Sequence, residues 1–450
     1  MPRTDDTRVT PAETATNSPG HTRRAWTVTG LLVVFMMVNF ADKSVFGLAA
    51  GPIRRDLGLS ATGFGLANSA FFLLFSVCGA AVGLLSDRMR PRWLLLGMAL
   101  LWSVAQTPMA LGGGLVALVV SRILLGAAEG PAFPVAQHAA LAWFPDRKRN
   151  LPGALISIGV TLGVVVAAPG LTWMIQHHGW RSAFAAVAIA GVVWAAAWAV
   201  FGRDAEAGAH DGGVVSTTGS SHDEESRHDD GSRQYEGSGP VPSYRRIMGT
   251  GTWIGATIGY FSTYWMISLS LVWAPSYLHD GLGYSTTTAA GLIAGIWAVS
   301  GAALLGQAGA TGWLLRRGVS SRWARARVGG STLLLSALAC AVLSQVGSGS
   351  AAVLLLLVGF GFCGAMSTIA VTTVAEVVPA RRRGGALGLM NAVVTTGGLI
   401  APVLTGYLVD TQGRGGYQHA VLLAAVLLLL GGTAAVTLID PARDARRLAA

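Results

Sequence analysis

Four ionisable side chains sit deep in the most apolar stretches of this 450-residue sequence: Asp42, Lys43, Arg122 and Glu129. Of its thirty-two lysines and arginines, Lys43 and Arg122 are the two that fall well inside an apolar run. Even on a lenient insertion scale a charge at the centre of a bilayer costs about 3 kcal/mol, so each must face a cavity or a partner. Arg122 and Glu129 stand seven residues apart, almost two helical turns, and share one helix face. Asp42 and Lys43 are sequence neighbours that project about 100° apart. A carboxyl in such a place can bind and release a proton, and a cation there can hold an anion. The bland alternative is a permanently paired ion cluster that locks two helices together. Four ionisable groups on two helices exceed what packing needs.

The elements that carry them follow from composition. Hydrophobic residues make up 52% of the chain and charged ones only 12%, against roughly a quarter charged in a soluble domain. A water-soluble protein is excluded. The apolar residues fall into runs of about 20, long enough to cross the hydrocarbon layer. Twelve spans are expected, near 26–50, 63–85, 93–111, 116–143, 152–174, 181–202, 252–278, 285–311, 328–346, 351–377, 384–407 and 417–439. Residues 1–24 are polar, without an apolar core for a cleaved signal, so the first span is expected to stay in the protein. Cys78, Cys340 and Cys363 lie far apart inside apolar runs, which predicts packed thiols and no metal site.

An even number of spans puts both termini on one side, and the basic loops set which side. One set of connections holds Arg88, Arg90, Arg92, Arg147, Lys148, Arg149, Arg316, Arg317, Arg322, Arg325, Arg327, Arg381, Arg382 and Arg383; the other holds only Arg54, Arg55, Arg181 and Arg414. Lysine and arginine are retained on the cytoplasmic face, so both termini are expected there. Topology therefore accounts for the net charge of +10, and no nucleic-acid partner is implied. Five regions are expected: a cytoplasmic tail over 1–24, a six-helix half over 25–202, a polar, disordered cytoplasmic linker over 203–251, a second six-helix half over 252–440, and a cytoplasmic tail over 441–450. The halves echo each other: Pro145-Asp-Arg-Lys-Arg149 opens the fifth span and Pro379-Ala-Arg-Arg-Arg383 the eleventh, each leading into a glycine-rich helix with Pro169 or Pro402. Parallel six-span repeats belong to transporters whose substrate site lies between the halves near the midplane.

Asn39-Phe-Ala-Asp-Lys43 resembles the Asn-Tyr-x-Asp-Arg motif in the first helix of the anion:cation symporter family, a branch of the major facilitator superfamily. The resemblance continues in Arg122-Ile-Leu-Leu-Gly-Ala-Ala-Glu129-Gly-Pro-Ala-Phe-Pro134, in Trp143-Phe-Pro145, and in Asn391, Gly397-Gly398 and Ala401-Pro402. It implies an all-α membrane protein with the major facilitator fold, importing a small organic anion such as a carboxylate or sugar acid. Proton symport is the implied coupling, with sodium as the other coupling ion. The implied setting is a monomer in the bacterial inner membrane. Carried over residue by residue, Asp42 and Glu129 look like proton-binding carboxylates, and Arg122 like their partner and an organiser of the substrate site. Lys43 stands where the family has a substrate-anchoring arginine, offering a point charge in place of a planar fork. Phe40 replaces the motif's tyrosine and removes a hydroxyl. The wider superfamily's loop signature appears as Gly83-Leu-Leu-Ser-Asp87-Arg88-Met-Arg-Pro-Arg92. Gly83, Asp87, Arg88 and Arg92 read as a conformational latch, with close helix approach at the glycine and charge-assisted contacts to a helix end or across the halves. Its counterpart, Gly312-Trp-Leu-Leu-Arg-Arg-Gly318, lacks the acid.

Tyr260, Tyr264, Trp265, Ser367, Thr372 and Asn391 are further candidates for a cavity lining, with Asn391 favoured because the resemblance places it in a substrate-lining helix. His138 reads as structural. Two rival functions differ in what they require. A proton-driven exporter of lipophilic cations would bear Gly-Pro-Gly-Gly in span five, where this chain has Pro169-Gly-Leu-Thr172, and buried basic groups repel a cation. A membrane enzyme needs a nucleophile and base or a motif such as HExxH inside the spans, and a sensor needs an appended soluble domain; the sequence has neither.

Overall fold

The computed structural model describes residues 19–85, 89–145, 149–205 and 242–449, and every regular element among them is helical. In the first half α1 runs Pro19–Leu48, α2 Ala61–Leu85, α3 Pro91–Ala110, α4 Leu115–Leu141, α5 Asn150–His178 and α6 Trp180–Phe201. In the second, α7 runs Gly251–Val272, α8 Thr286–Arg316, α9 Arg322–Leu343, α10 Ser350–Val377, α11 Ala380–Gln412 and α12 Arg414–Leu438. Eleven of these are long and apolar enough to cross a membrane. The exception, α7, has the length at 22 residues, but Gly, Ser, Thr and Tyr dilute its apolar character. A polar span has to face protein or a cavity, and α7 does both.

Local chemistry explains the ends and breaks. Pro91 starts α3, where its missing N–H has no partner to lose. The hydroxyls of Thr250 and Ser285 cap α7 and α8 by accepting the N–H groups of Trp253 and Thr288. Within α4 the regular helix stops at Glu129, because Pro131 cannot donate to the helical ladder, and it resumes at Ala132. Pro275 follows α7 in the same manner, so the seventh span, expected to reach residue 278, ends at Val272 and continues as a short α-helical turn, Ala274–Ser276, and a π-helical turn, Tyr277–Gly281. Gly179 (φ +80°) turns the chain between α5 and α6, and Gly413 (φ +59°) does so between α11 and α12, at equivalent places in the two halves.

The packing repeats as well. α1 lies on α5 as α7 lies on α11, α2 on α4 as α8 on α10, and α3 on α6 as α9 on α12. The halves meet chiefly where α2 packs on α11 and α5 on α8. Residues 206–241 of the expected linker lie outside the described residues. Its last part corrects the expectation of disorder: Ser243 caps a short helix over Tyr244–Met248, and Ile247 is completely buried. The C-terminal residues also fold back as a helix, Pro441–Ala449, whose buried Asp444 accepts the N–H of Thr252 at the start of α7. Cys340 and Cys363 are buried and unpaired, and Cys78 is half-buried.

Candidate substrate site

At one end of the bundle the halves are sealed by close backbone approach. A Cβ on Gly47 of α1 would collide with the Leu271 carbonyl of α7, one on Gly65 of α2 with the Pro402 carbonyl of α11, and one on Gly406 of α11 with Ala61. Asp410 of α11 adds a charged cap, accepting the N–H groups of Ala61 (2.8 Å) and Thr62 (2.7 Å) at the positive end of α2. Deeper in, the Ser69 hydroxyl donates to the Leu399 carbonyl, and Ser76 bonds Thr395.

Past this seal, a cavity of about 810 Å³ lies between the halves. It extends from Lys43 to Gln137, Ser157, Leu304, Thr372 and Leu387, towards the end of the bundle where α1 begins and α12 finishes. The first half lines it with Phe40, Lys43, Asn68, Phe71, Phe72, Phe75, Arg122, Glu129 and Phe133. The second contributes Tyr260, Tyr264, Trp297, Ser300, Phe360, Ser367 and Asn391.

The four ionisable residues come together here, in unequal roles. Lys43 donates a 2.6 Å hydrogen bond to the Asn39 side-chain carbonyl one turn earlier in α1. Its Nζ is 3.2 Å from Glu129 Oε2 and lies over the Phe40 ring, 4.4 Å from the centroid. Lys43 keeps 14% of its side chain exposed, while Glu129 keeps 1%. Asp42 points away from the cavity into the helix packing, where it accepts a hydrogen bond from the Gln106 amide of α3. Its carboxyl lies near that of Glu129, and Asp42 Oδ2 has no hydrogen-bond partner among the described residues. Two ionised carboxylates so placed repel one another, and a proton on either relieves this.

Arg122 is enclosed. Its guanidinium donates to the Asn68 carbonyl oxygen at 2.8 Å and lies between the rings of Phe46 (4.4 Å) and Phe71 (5.1 Å), leaving 3% of the residue exposed. Cation–π contact with both rings makes it a fixed, nearly enclosed positive charge in the cavity wall. Lys43 is therefore the more exposed of the two basic groups in the lining.

The other expected residues divide. Tyr264, Tyr260, Asn391, Ser367 and Thr372 line the cavity, while Trp265 is packed away from it. The Ser367 hydroxyl donates to the Gly364 carbonyl and Thr372 to Thr368, within their own helix. His138 is exposed at the outer surface of α4. Of the latch, Asp87 and Arg88 lie outside the described residues, and Gly83 falls in the last turns of α2. Arg92 donates its N–H to Asp204 and its guanidinium to the Ala199 carbonyl at the end of α6. Asn68 and Gln106, which hold Arg122 and Asp42, escaped the sequence reading. Each is a side-chain amide inside an apolar run, and that rarity was the available signal.

Comparison with known proteins agrees with this geometry. Among solved structures, a bacterial homologue of the human lysosomal transporter Spinster, in an inward-facing and occupied conformation, superposes with a TM-score of 0.73 at 16% identity, covering 96% of this chain and 99% of that one. A D-xylose-proton symporter superposes with a TM-score of 0.70 at 15% identity, covering 93% and 99%. Among curated proteins, the probable sulfoacetate transporter of Cupriavidus necator is 25% identical over 91% of this chain and 92% of its own. The hexuronate transporter of Bacillus subtilis is 25% identical over 91% and 94%. The probable L-galactonate transporter of Escherichia coli is 26% identical over 94% and 92%. The family model described as the Major Facilitator Superfamily matches residues 32–372 and 318–450. With twelve helices in two matching halves around a central cavity, this integral membrane protein belongs to the Major Facilitator Superfamily.

Proposed function

We propose that the protein imports a small organic anion by proton symport, as a member of the anion:cation symporter branch in a bacterial cytoplasmic membrane. The observation that carries this reading is the placement of Lys43, a cation exposed to an inter-half cavity with its acid partner buried behind it. Relatives named for sulfoacetate, hexuronate and L-galactonate, all anions, support it. With the basic loops on the cytoplasmic side, the sealed end is periplasmic and the cavity opens inward. The two halves, 25–202 and 252–440, rock about the site, joined by the cytoplasmic stretch 203–251.

In this mechanism the proton decides whether Lys43 is available. Protonation of the Asp42–Glu129 pair releases Lys43 from Glu129, and the ammonium takes the anion. Loss of that proton to the more alkaline cytoplasm lets Glu129 recapture Lys43, and the anion leaves. The 3.2 Å pair at Lys43 and Glu129 corresponds to the released, inward-open form. Arg122 keeps the region positive and holds α4 to α2 through Asn68. A lipophilic-cation exporter fits less well, because Lys43 stands between Glu129 and the cavity and repels a cation. Proteoliposome uptake of sulfoacetate, glucuronate, galactonate and phenylacetate under an imposed pH gradient tests the reading. At least one should accumulate, and accumulation that follows a sodium gradient instead would overturn the proton assignment.

A further inference from the structure

The wall around Lys43 is aromatic, and this bears on which anion fits. The Phe40 and Phe75 ring centroids lie 4.4 Å and 5.6 Å from Lys43 Nζ. Across the cavity, Phe72 meets Tyr264 edge-on at 6.1 Å, and Phe40, the ring beneath the ammonium, meets Trp297 edge-on at 5.8 Å. The Trp297 residue is 7% exposed, and its indole N–H has no acceptor among the described residues.

Part of the polar lining is already engaged within the protein. The hydroxyls of Ser157, Ser367 and Thr372 donate to carbonyls of their own helices, and Arg122 is held by Asn68. Besides the Lys43 ammonium, the hydroxyls of Thr161, Ser270, Ser300, Thr368 and the two tyrosines and the Asn391 amide remain open, in a lining that is predominantly apolar. A hexuronate brings several hydroxyls, each of which must find a partner once water is stripped from it. A flat ring bearing one carboxylate needs a single cation and rings to stack against.

We infer that the transported anion is an aromatic monocarboxylate of the benzoate and phenylacetate type, its carboxylate on Lys43 and its ring among Phe40, Phe72, Phe75 and Trp297. This rests on the anion-import reading of the same site and narrows its substrate class. Lys43 is the more exposed cation and takes one carboxylate, and one proton with a monoanion crosses the membrane without net charge.

The test is equilibrium binding to the purified full-length protein, followed by intrinsic tryptophan fluorescence, with phenylacetate, cyclohexylacetate, glucuronate and neutral benzyl alcohol as probes. Phenylacetate is expected to bind at least about tenfold tighter than glucuronate and than benzyl alcohol. Lys43→Gln should weaken phenylacetate binding by about tenfold or more. Phe75→Leu should shrink the preference for phenylacetate over cyclohexylacetate, a readout that does not depend on Lys43→Gln folding. If glucuronate binds as tightly as phenylacetate and Lys43→Gln weakens both, the aromatic assignment falls and anion import stands. If phenylacetate and benzyl alcohol bind equally to the unaltered protein, the anion reading fails with it.

Discussion

Lys43 and Glu129 form an unequal ion pair, 3.2 Å apart, in which the lysine faces the cavity and the acid is buried behind it. A ligand reaches the cation first. On the proposed mechanism the acid governs whether that cation is free, which would join anion binding to proton binding within one pair of side chains.

Removing the cation leaves an incoming anion without compensation in a cavity walled by rings. Lys43→Ala should lower anion affinity by at least about tenfold. Lys43→Arg should keep the charge, and its planar fork should change the ranking among carboxylates and sulfonates. Titration of one anion panel against both variants checks this; unchanged affinity in Lys43→Ala would take the lysine out of the mechanism.

The seal at the opposite end depends on missing side chains. Gly65→Val would place a branched side chain against the Pro402 carbonyl and should hold the halves apart there. Transport should fall by at least about tenfold while the protein still folds, since the clash belongs to the arrangement closed at this end and parting the halves there would relieve it. A cysteine at Leu59, near the sealed end, should become more accessible to an impermeant thiol reagent in this background. Equal labelling with and without the substitution would argue against Gly65 as a closure point.

Much of this architecture was legible in the sequence. Run length and the basic loops predicted twelve spans, and buried charge singled out Asp42, Lys43, Arg122 and Glu129 before any contact was known. How exposed each of those four is was not legible. The family resemblance put Lys43 at the anion-anchoring place and made Arg122 the acids' partner and organiser of the site, but only the fold shows Arg122 enclosed by Phe46, Phe71 and Asn68. The reason is physical: which face of a helix meets a cavity depends on helix rotation, and that is set by packing with neighbours far away in sequence. The aromatic lining was hidden for the same cause, since Phe40, Phe72, Tyr264 and Trp297 come from four helices. Proline and glycine breaks blur span ends too, as at Pro275.

Outside the membrane, Asp444 ties the C-terminal helix to α7. Burial pushes its carboxyl up, but hydrogen bonds from Arg443 and Thr252 outweigh this and hold it below the usual carboxylate range. A carboxylate with a depressed folded-state pKa contributes stability above its unfolded pKa, about 4, and loses it as pH falls through the folded value. Asp444→Asn should therefore lower thermal stability near neutral pH, by about 1–2 kcal/mol, and the gap from the unaltered protein should close below about pH 4. Thermal unfolding of both proteins across that range checks the sign.

Orientation has its own check. A cysteine introduced at Ser221, in the connection between the halves, should resist an impermeant reagent in intact cells and react after permeabilisation, as a cytoplasmic linker requires. Ready labelling in intact cells would invert the topology and with it the direction of the cavity.

The most direct test of the central claim, that the Asp42–Glu129 pair gates Lys43 by taking up a proton, is uphill uptake by proteoliposomes containing Glu129→Gln. Glutamine fixes the neutral state, so Lys43 stays free in every step of the cycle. The account predicts that accumulation driven by a pH gradient disappears while counterflow exchange of the same anion persists, and that its binding loses its pH dependence. Accumulation against a gradient with normal pH dependence, in Glu129→Gln and in Asp42→Asn alike, would contradict it.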